Sequence, residues 1–299
     1  MLKTFQDIIE IARKKGRKRL VVGAPHALPM IEGLKMAMEE GLIQPILIGD
    51  TNKIRELIKS AGMEEKDFVI EKARDEYEAT IRAVELVRNG EADLILKGKI
   101  GTPDFLRIIL NKERGLRTGK ILSHIALHEI PGKYHKLIFL TDAGMNIRPD
   151  LEMKIKILEN CLEITRKLGY DRPKVAILAS IETIHPDMPE TLDAAAISKL
   201  ADRGYFGNVA VDGPLGFDLA VSRESGDIKG VTGEVIGDAD IMLVPDVATG
   251  NIMSKTMIYF ADALVGGIVV GAKVPVVLLS RSDTPQMKLA SIAFAISVS

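Results

Sequence analysis

Short apolar runs alternate with longer amphipathic stretches along the chain, and this alternation limits the folds open to it. In the first third, the apolar runs have the length of strands and the stretches between them have helical spacing. In order, they are residues 19–24, 30–40, 45–49, 68–70, 76–88 and 93–96. Strands that are apolar on both faces need helices on both sides. The sequence therefore predicts a layered α/β protein built around a mostly parallel sheet.

The pattern changes near the middle of the chain. Residues 121–130 and 136–140 are two β-like runs joined by the turn signal PGKY at 131–134. This predicts an antiparallel excursion, where we place the crossing into a second domain. A long helix follows, with apolar residues from Leu151 to Leu162 on one face. The remaining predicted strands are 175–179, 208–211, 240–244, 267–270 and 274–279.

Composition and charge exclude several classes of partner. The chain has 40 Lys+Arg and 41 Asp+Glu residues, so no bulk attraction to nucleic acid or to an anionic membrane is expected. Aromatic residues make up 4% and Trp is absent, which argues against a base-stacking surface. The longest uncharged stretch, residues 20–31, is shorter than the roughly 20 residues of a spanning helix. With Cys161 as its one cysteine, the chain is expected to be cytoplasmic.

Small and polar residues follow five of the apolar runs. Ligands of α/β sheets bind beyond the carboxyl ends of the strands, so these positions are the first candidates for a site. Backbone N–H groups, hydroxyls and cations at the helix starts that follow can hold phosphate groups. The five segments are 97–104, 141–148, 211–215, 245–251 and 280–284. The substrate-binding candidates in them are Lys99, Thr102, Asp142, Asn146, Gly250 and Asn251.

The last of these segments, beyond the final apolar run, is the richest in reactive groups. Arg281 can hold a phosphate with two N–H donors. Ser280 can donate to a developing oxyanion, and Asp283 can accept a proton. We therefore name these three residues as catalytic candidates. The same spacing also fits a simpler alternative, in which Ser282 or Asp283 caps the helix through residues 287–295 and Arg281 is solvated.

Other signatures of ligand binding are missing or incomplete. Residues 266–273 lack the Lys-Ser/Thr step of a P-loop, and no GxGxxG follows the first strand. His124 and His128 are four residues apart, a spacing that separates them by about 13 Å along a strand. No metal site is therefore expected, and Cys161 is placed on the apolar side of the long helix as a core residue.

Seven segments between Lys97 and Asp283 follow one another in a specific order. They are KGKIGTPDFLRIILN (97–111), GLRTGKILSHIALHEIP (115–131), FLTDAGMNIRPDLEMK (139–154), MPETLDAAAISKLADRG (188–204), VDGPLGFDLAVS (211–222), DADIMLVPDVATGNIMSK (238–255) and GGIVVGAKVPVVLLSRSD (266–283). In this order they resemble the phosphate acetyl/butyryltransferase family, that is, the phosphotransacetylases and phosphotransbutyrylases. The resemblance is greatest to the butyryl-transferring members.

The resemblance implies transfer of a short, butyryl-type acyl group between coenzyme A and inorganic phosphate. CoA or acyl-CoA and phosphate or acyl phosphate are then substrates, and no metal or other cofactor takes part. It also implies a homodimer or a larger homo-oligomer. The implied fold is similar to that of the isocitrate and isopropylmalate dehydrogenases, two α/β domains with the active site in the cleft between them. On this pattern residues 1–126 and 270–299 form the first domain, and residues 127–269 form an inserted second domain.

The resemblance also assigns roles to the residues of the last segment. The family's Ser-Arg pair falls on Ser280 and Arg281, which would hydrogen-bond the reacting centre and hold the phosphoryl group. The base for the CoA thiol in acetyl-specific members lies six residues after the arginine, where this chain has Met287. Asp283 is the nearest substitute.

A second family motif falls on residues 248–255 (ATGNIMSK). It keeps Gly250, Asn251 and Lys255 but lacks the acidic residue and the tyrosine found in relatives. The resemblance therefore adds Lys255 to the substrate-binding candidates. The backbone N–H groups near Gly250 and Asn251 are expected to stabilise the leaving phosphate.

Three other functions stay open at this point. An acetyl-specific phosphotransacetylase would differ in the acyl chain that it accepts. A metal- and NAD-dependent 2-hydroxy-acid dehydrogenase of the same fold would need carboxylates at strand ends, for which Asp142, Asp212 and Asp246 are available. A non-catalytic CoA- or nucleotide-binding module would bind CoA without turnover.

Overall fold

The computed structural model describes residues 2–278, 280 and 283–299, and the chain divides into two units. The flanking unit consists of Phe5–Lys120 and Gly266–Ser299, and the central unit consists of Ile121–Val265 together with residues 2–4. The sequence placed the boundaries at 126/127 and 269/270. A boundary at 126/127 would cut the strand Ser123–Glu129, whose residues 125–128 pair with a neighbouring strand of the central unit.

Strands and helices alternate along the chain, so the fold is mixed α/β as predicted. The strands are β1 (Lys18–Gly23), β2 (Ile43–Gly49), β3 (Val69–Lys72), β4 (Leu94–Lys97), β5 (Ser123–Glu129), β6 (Ile138–Thr141), β7 (Lys174–Leu178), β8 (Ala210–Leu215), β9 (Ile241–Leu243), β10 (Leu264–Val270) and β11 (Val276–Val277). The helices are α1 (Phe5–Lys14), α2 (Leu28–Glu39), α3 (Thr51–Ser60), α4 (Glu76–Arg88), α5 (Thr102–Ile109), α6 (Leu151–Lys167), α7 (Pro189–Asp202), α8 (Phe217–Val221), α9 (Arg223–Lys229), α10 (Val247–Phe260) and α11 (Pro285–Ser297).

The strands of the flanking unit lie side by side in the order β3-β2-β1-β4-β11-β10. β1 pairs in parallel with β2 and β4, β2 pairs in parallel with β3, and β4 does so with β11. β10 and β11 are antiparallel. Because β1, β4 and β11 run in the same direction, their carboxyl ends meet at one edge of the sheet, where ligands of parallel sheets bind.

The strands of the central unit follow the order β5-β6-β9-β7-β8. β5 and β6 are antiparallel, which confirms the predicted antiparallel excursion, and the other neighbours are parallel. The long helix α6 is capped by Asp150, whose carboxylate accepts a hydrogen bond from the N–H of Met153 at 2.8 Å. Its apolar side is buried and includes Cys161, as predicted.

Two predicted strands differ from the observed ones, and both contain or adjoin a proline. The predicted strand 274–279 is reduced to β11, since Pro275 has no N–H to donate to a ladder, and Leu279 lies outside the described residues. The predicted strand 208–211 continues through Pro214 as β8, which pairs with β7 at one end of the central-unit strand order. Asp212 therefore lies within a strand and not beyond its end.

Helix α11 is buried on every side. All residues from 288 to 297 are buried, and the helix packs against α1 and α2 of the same unit. A helix that is apolar all round belongs in a protein core or in a bilayer. Within the described part of the chain, no helix has both the length and the apolar character needed to cross a membrane. Its burial thus places α11 in the core of the flanking unit.

Candidate active site

A cavity of about 570 Å³ lies in the flanking unit, where β1, β4 and β11 end. This volume is within the range of about 300–1,000 Å³ that is usual for small-molecule sites. The cavity is lined by the end of β4, by residues that follow β1, β4 and β11, by the first turn of α2 and by one residue of α11. They are His26, Ala27, Pro29, Met30, Lys97, Gly98, Lys99, Ile100, Gly101, Ser280 and Lys288. Two sequence candidates, Lys99 and Ser280, therefore line one cavity.

Gly98 allows the loop after β4 to lie directly on the loop after β1. A Cβ atom at position 98 would lie 2.0 Å from the carbonyl oxygen of Gly23 and 2.5 Å from that of Ala24. The N–H of Lys99 donates to the Ala24 carbonyl at 2.9 Å and holds the two loops together. The predicted candidate Thr102 follows as the first residue of α5, with Gly101 as the N-cap.

The charged side chains that line the cavity are cationic. Lys97 approaches the carbonyl oxygen of Gly98 at 3.4 Å, and Lys99 lies 3.8 Å from a carboxylate oxygen of Glu76, with its side chain 70% exposed. Lys288 is only 4% exposed. No carboxylate is found among the lining residues that the structure describes. A concave site with an excess of positive charge favours an anionic ligand.

Lys288, which the sequence analysis missed, is the deepest of these cations. Its Nζ atom donates to the carbonyl oxygen of Asp283. Gly33 of α2 makes room for it, since a Cβ at that position would lie 2.6 Å from the Lys288 Cβ. Burial lowers the pKa of the Lys288 ammonium, an effect opposed by the negative charges of Asp283 and Glu32. The available signal was that Lys288 is the one charged residue of α11.

His26 also lines the cavity and was not predicted. Its Nε2 atom is buried and has no hydrogen-bond partner among the described residues. Burial is the main cause that lowers the pKa of the His26 imidazole, the positive charges of Lys53 and Lys99 add to this, and Glu76 opposes it. The ring is therefore held in its neutral form more strongly than an exposed histidine would be.

Ser280 and Asp283, which precede α11 in the chain, are joined by two hydrogen bonds. The Asp283 carboxylate accepts a hydrogen bond from the N–H of Ser280 at 2.7 Å, and the N–H of Asp283 donates to the Ser280 carbonyl at 3.3 Å. The alternative in which Asp283 caps the helix is wrong, because the hydroxyl of Thr284 accepts from the N–H of Met287 and is the cap. The predicted Arg281, and Ser282, lie outside the described residues.

The predicted Asp142 and Asn146 organise the loop after β6 in the central unit. The Asp142 carboxylate is 2% exposed and accepts hydrogen bonds from the N–H groups of Gly144, Met145 and Asn146 at 2.8–3.2 Å. The side-chain amide of Asn146 donates to Asp142 at 2.6 Å and to the Leu122 carbonyl at 2.9 Å. Both side chains are thus engaged with their own loop.

Gly250, Asn251 and Lys255 lie on α10. The N–H of Gly250 donates to the carbonyl of Asp246 at 3.1 Å as part of the helix, so among the N–H groups near Gly250 and Asn251 this one is occupied. Instead, Gly250 allows a close approach, since a Cβ there would lie 2.9 Å from the Cα of Ala143. Asn251 and Lys255 are exposed, so both side chains are accessible.

The carboxylates offered for a metal-dependent alternative have other partners. Asp246 caps α10 through the N–H of Thr249 at 2.7 Å. Asp212 accepts from the N–H of Gly213 at 2.8 Å, and burial raises the pKa of its carboxyl group. Over the residues that the structure describes, no three or more His, Cys, Asp or Glu side chains are grouped so as to hold a metal ion.

One buried histidine of the central unit has a well-defined hydrogen-bond pattern. His128 lies in β5, within the β-like run predicted at 121–130. Its Nδ1 atom is 3.2 Å from the Ala126 carbonyl oxygen, and its Nε2 atom is 2.9 Å from the Ser254 hydroxyl. A carbonyl can only accept, so Nδ1 carries the proton and Nε2 accepts from Ser254. Burial lowers the pKa of His128 to about 4.

Comparisons with known proteins converge on one family. Residues 59–296 match the model of the family described as phosphate acetyl/butaryl transferase. A phosphate butyryltransferase of Clostridium acetobutylicum is 44% identical over 295 residues, 99% of this chain and 98% of the relative. A phosphate acetyltransferase of Thermotoga maritima is 38% identical over 291 residues, 97% of this chain and 98% of the relative. The crystal structure of a branched-chain phosphotransacylase from Enterococcus faecalis V583 matches with a TM-score of 0.84 and 36% identity, covering 94% of this chain and 98% of that one.

Proposed function

Since this chain belongs to the phosphate acetyl/butaryl transferase family, we propose that it transfers a short acyl group between coenzyme A and inorganic phosphate. The observation that carries this proposal is the near full-length similarity to a phosphate butyryltransferase. The cationic cavity at the carboxyl ends of β1, β4 and β11 supports it, because both substrates are anions: one is phosphate, and CoA carries phosphate groups. The metal- and NAD-dependent dehydrogenase is not favoured by the comparisons.

For the acyl group we propose a butyryl-type chain. Apolar side chains line the cavity beside the lysines, among them Met30 and Ile100, and they offer a surface for an alkyl chain. The acetyl-specific alternative is separated from this one by the ratio of kcat/KM for butyryl-CoA and acetyl-CoA. Each buried methylene contributes roughly 1–3 kcal/mol to such discrimination, so a butyryl site should prefer butyryl-CoA by at least about tenfold.

The proposed reaction is a direct displacement at the acyl carbon. In one direction the CoA thiolate attacks the carbonyl carbon of the acyl phosphate, the C–S bond forms, and the C–O bond to phosphate breaks as phosphate leaves with the electron pair. Asp283 takes the proton of the thiol, and the hydroxyl of Ser280 donates to the carbonyl oxygen. Arg281 holds the departing phosphate, an assignment that rests on the family's Ser-Arg pair.

The other predicted residues keep the roles that their positions allow. Lys99 lies on the cavity wall and is proposed to contact substrate there. The exposed Asn251 and Lys255 are proposed to contact CoA. Asp142 and Asn146 act indirectly in this proposal, through the loop that they hold in place. Thr102 stays a substrate-binding prediction.

The reaction class is tested by following the thioester absorbance of acetyl-, propionyl- and butyryl-CoA with phosphate or arsenate. We expect loss of thioester that depends on phosphate or arsenate. The variant Arg281→Ala should lose about 10²–10³ in kcat, the usual cost of one oxyanion or leaving-group donor, while its circular dichroism spectrum is unchanged. Wild-type protein that binds CoA tightly without turnover would instead favour the non-catalytic binding module.

Three further expectations about the whole protein remain predictions. They are two dehydrogenase-like domains with the active site in a cleft, a homodimer or larger homo-oligomer, and a cytoplasmic location. Light scattering coupled to size-exclusion chromatography measures the oligomeric state directly.

A further inference from the structure

We propose that Lys288 is the innermost cation of the cavity in the flanking unit and contacts a phosphate-bearing group of a substrate there. The proposal rests on the proposed function for its choice of ligand. It adds residues that neither the family's Ser-Arg pair nor the sequence candidates include. Two sources share this chemistry: inorganic or acyl phosphate, and the phosphate groups of CoA.

Lys288 is buried and forms no ion pair within the described part of the chain, although the negative charges of Asp283 and Glu32 act on it. Moving an ammonium group out of water is costly unless charge and hydrogen bonds compensate. Lys288 is 4% exposed, and its Nζ atom donates to a neutral carbonyl, that of Asp283. An anion in the cavity would supply the missing compensation.

Several other polar groups line the cavity together with Lys288. Lys97, Lys99 and Lys288 contribute positive charge, and Ser280 contributes a hydroxyl. His26 adds an imidazole to the lining, although its Nε2 atom is buried beside Gly49 and is not one of these donors. A phosphate group has several acceptor oxygens and can satisfy more than one of these donors at once.

A glycine of α2 makes room for the Lys288 side chain. Gly33 of α2 lies where any Cβ would collide with the Lys288 Cβ and Cδ atoms, at 2.6 and 3.1 Å. The stem of the lysine therefore lies against the backbone of α2, and its orientation is defined by packing. A charged group that is held in one orientation is suited to binding and costs little ordering when a ligand arrives.

The test measures binding without turnover, on the full chain. Inorganic phosphate and CoA are each titrated by isothermal calorimetry at constant ionic strength, because surface electrostatics are screened by salt. The variants are Lys288→Met, which keeps the stem and removes the charge, and Lys288→Arg, which keeps the charge. Lys35→Met is the matched control, since Lys35 also donates to a backbone carbonyl in this unit, that of Ala61, but does not line the cavity.

We expect Lys288→Met to weaken one of the two ligands by at least about tenfold, the order contributed by a hydrogen bond to a charged group. Lys288→Arg should retain most of the affinity, and Lys35→Met should match wild type. If the affinity for inorganic phosphate falls, the occupant is inorganic or acyl phosphate. If only the affinity for CoA falls, the occupant is a phosphate group of CoA. Unchanged affinity for both ligands in a folded Lys288→Met protein overturns the proposal.

A second variant covers the case in which Lys288→Met does not fold. Lys97→Met removes another cation of the same cavity from a position that is only half-buried. It should weaken the same ligand, and unchanged affinity for both ligands would then overturn the proposal. Wild-type protein that binds phosphate in this way but transfers no acyl group contradicts the proposed function and leaves the site standing.

Discussion

The carboxylate of Asp283 accepts a hydrogen bond from the backbone N–H of Ser280, with 2.7 Å between Oδ2 and the nitrogen. The residue proposed to take the thiol proton is thus bonded to the residue proposed to donate to the carbonyl oxygen. This arrangement ties the position of the Ser280 hydroxyl to the Asp283 side chain. Two substitutions at position 283 can therefore separate the charge of the carboxylate from its hydrogen bond to the Ser280 N–H.

Asp283→Asn is expected to lower kcat by about 10²-fold or more, because an amide can still accept from the Ser280 N–H but cannot take a proton. Asp283→Ala should lower kcat further, since the N–H of Ser280 also loses its hydrogen-bond acceptor. The measurement is kcat for thioester loss, with thermal unfolding as the check on the fold. An Asp283→Asn enzyme with wild-type kcat would show that the base is another group.

Gly98→Ala is expected to destabilise the protein by about 1–3 kcal/mol or more, because the added Cβ meets backbone oxygens of Gly23 and Ala24 that cannot move aside. Gly101→Ala in the same loop is the matched control. A Cβ at position 101 would meet its nearest atom at 3.4 Å, so its effect should stay below about 1 kcal/mol. Urea unfolding measures both, and equal losses would contradict the contact.

The pH dependence of stability should carry a signature of His128. Its pKa is about 4 in the folded protein, below the ordinary 6.5, so the unfolded chain takes up a proton between these values and the folded one does not. The free energy of unfolding should therefore be highest above pH 6.5 and fall by about 3 kcal/mol toward pH 4 from this residue alone. Urea unfolding of wild type and His128→Gln across this pH range isolates the contribution of His128 to the free energy of unfolding. Parallel pH curves for the two proteins would show that His128 does not contribute.

Lys136→Met is expected to destabilise the central unit by about 3–5 kcal/mol, because the buried Asp240 carboxylate loses its cation, whereas Asp238 keeps its ion pair with Lys174. The Lys136 side chain is 0% exposed, and its Nζ atom lies 2.9 Å from Asp238 and 2.6 Å from Asp240. His135→Ala is the control, since His135 contacts the same Asp238 from a side chain that is 55% exposed. Its effect should be below about 1 kcal/mol. Comparable losses in denaturant unfolding would argue against a buried role for Lys136.

Part of the candidate site could be predicted from local sequence, and part could not. Ser280 and Lys99 were found because they follow apolar runs, a pattern that marks the carboxyl ends of strands wherever the strands lie. The residue that caps α11 was misjudged, because Asp283 and Thr284 are both good caps. The choice between them depends on whether the Asp283 carboxylate is occupied by the N–H of Ser280.

The amino-acid sequence by itself determined the alternation of strands and helices, the antiparallel pair β5 and β6, the burial of Cys161 and the family. These properties follow from periodicity and from the order of short segments, which are local. Only the tertiary structure decided that Lys288 lies against Gly33 and that Gly98 lies on Gly23, because each pair is far apart in the chain. Contacts of that kind depend on which strands become neighbours, and no local pattern in the sequence records them.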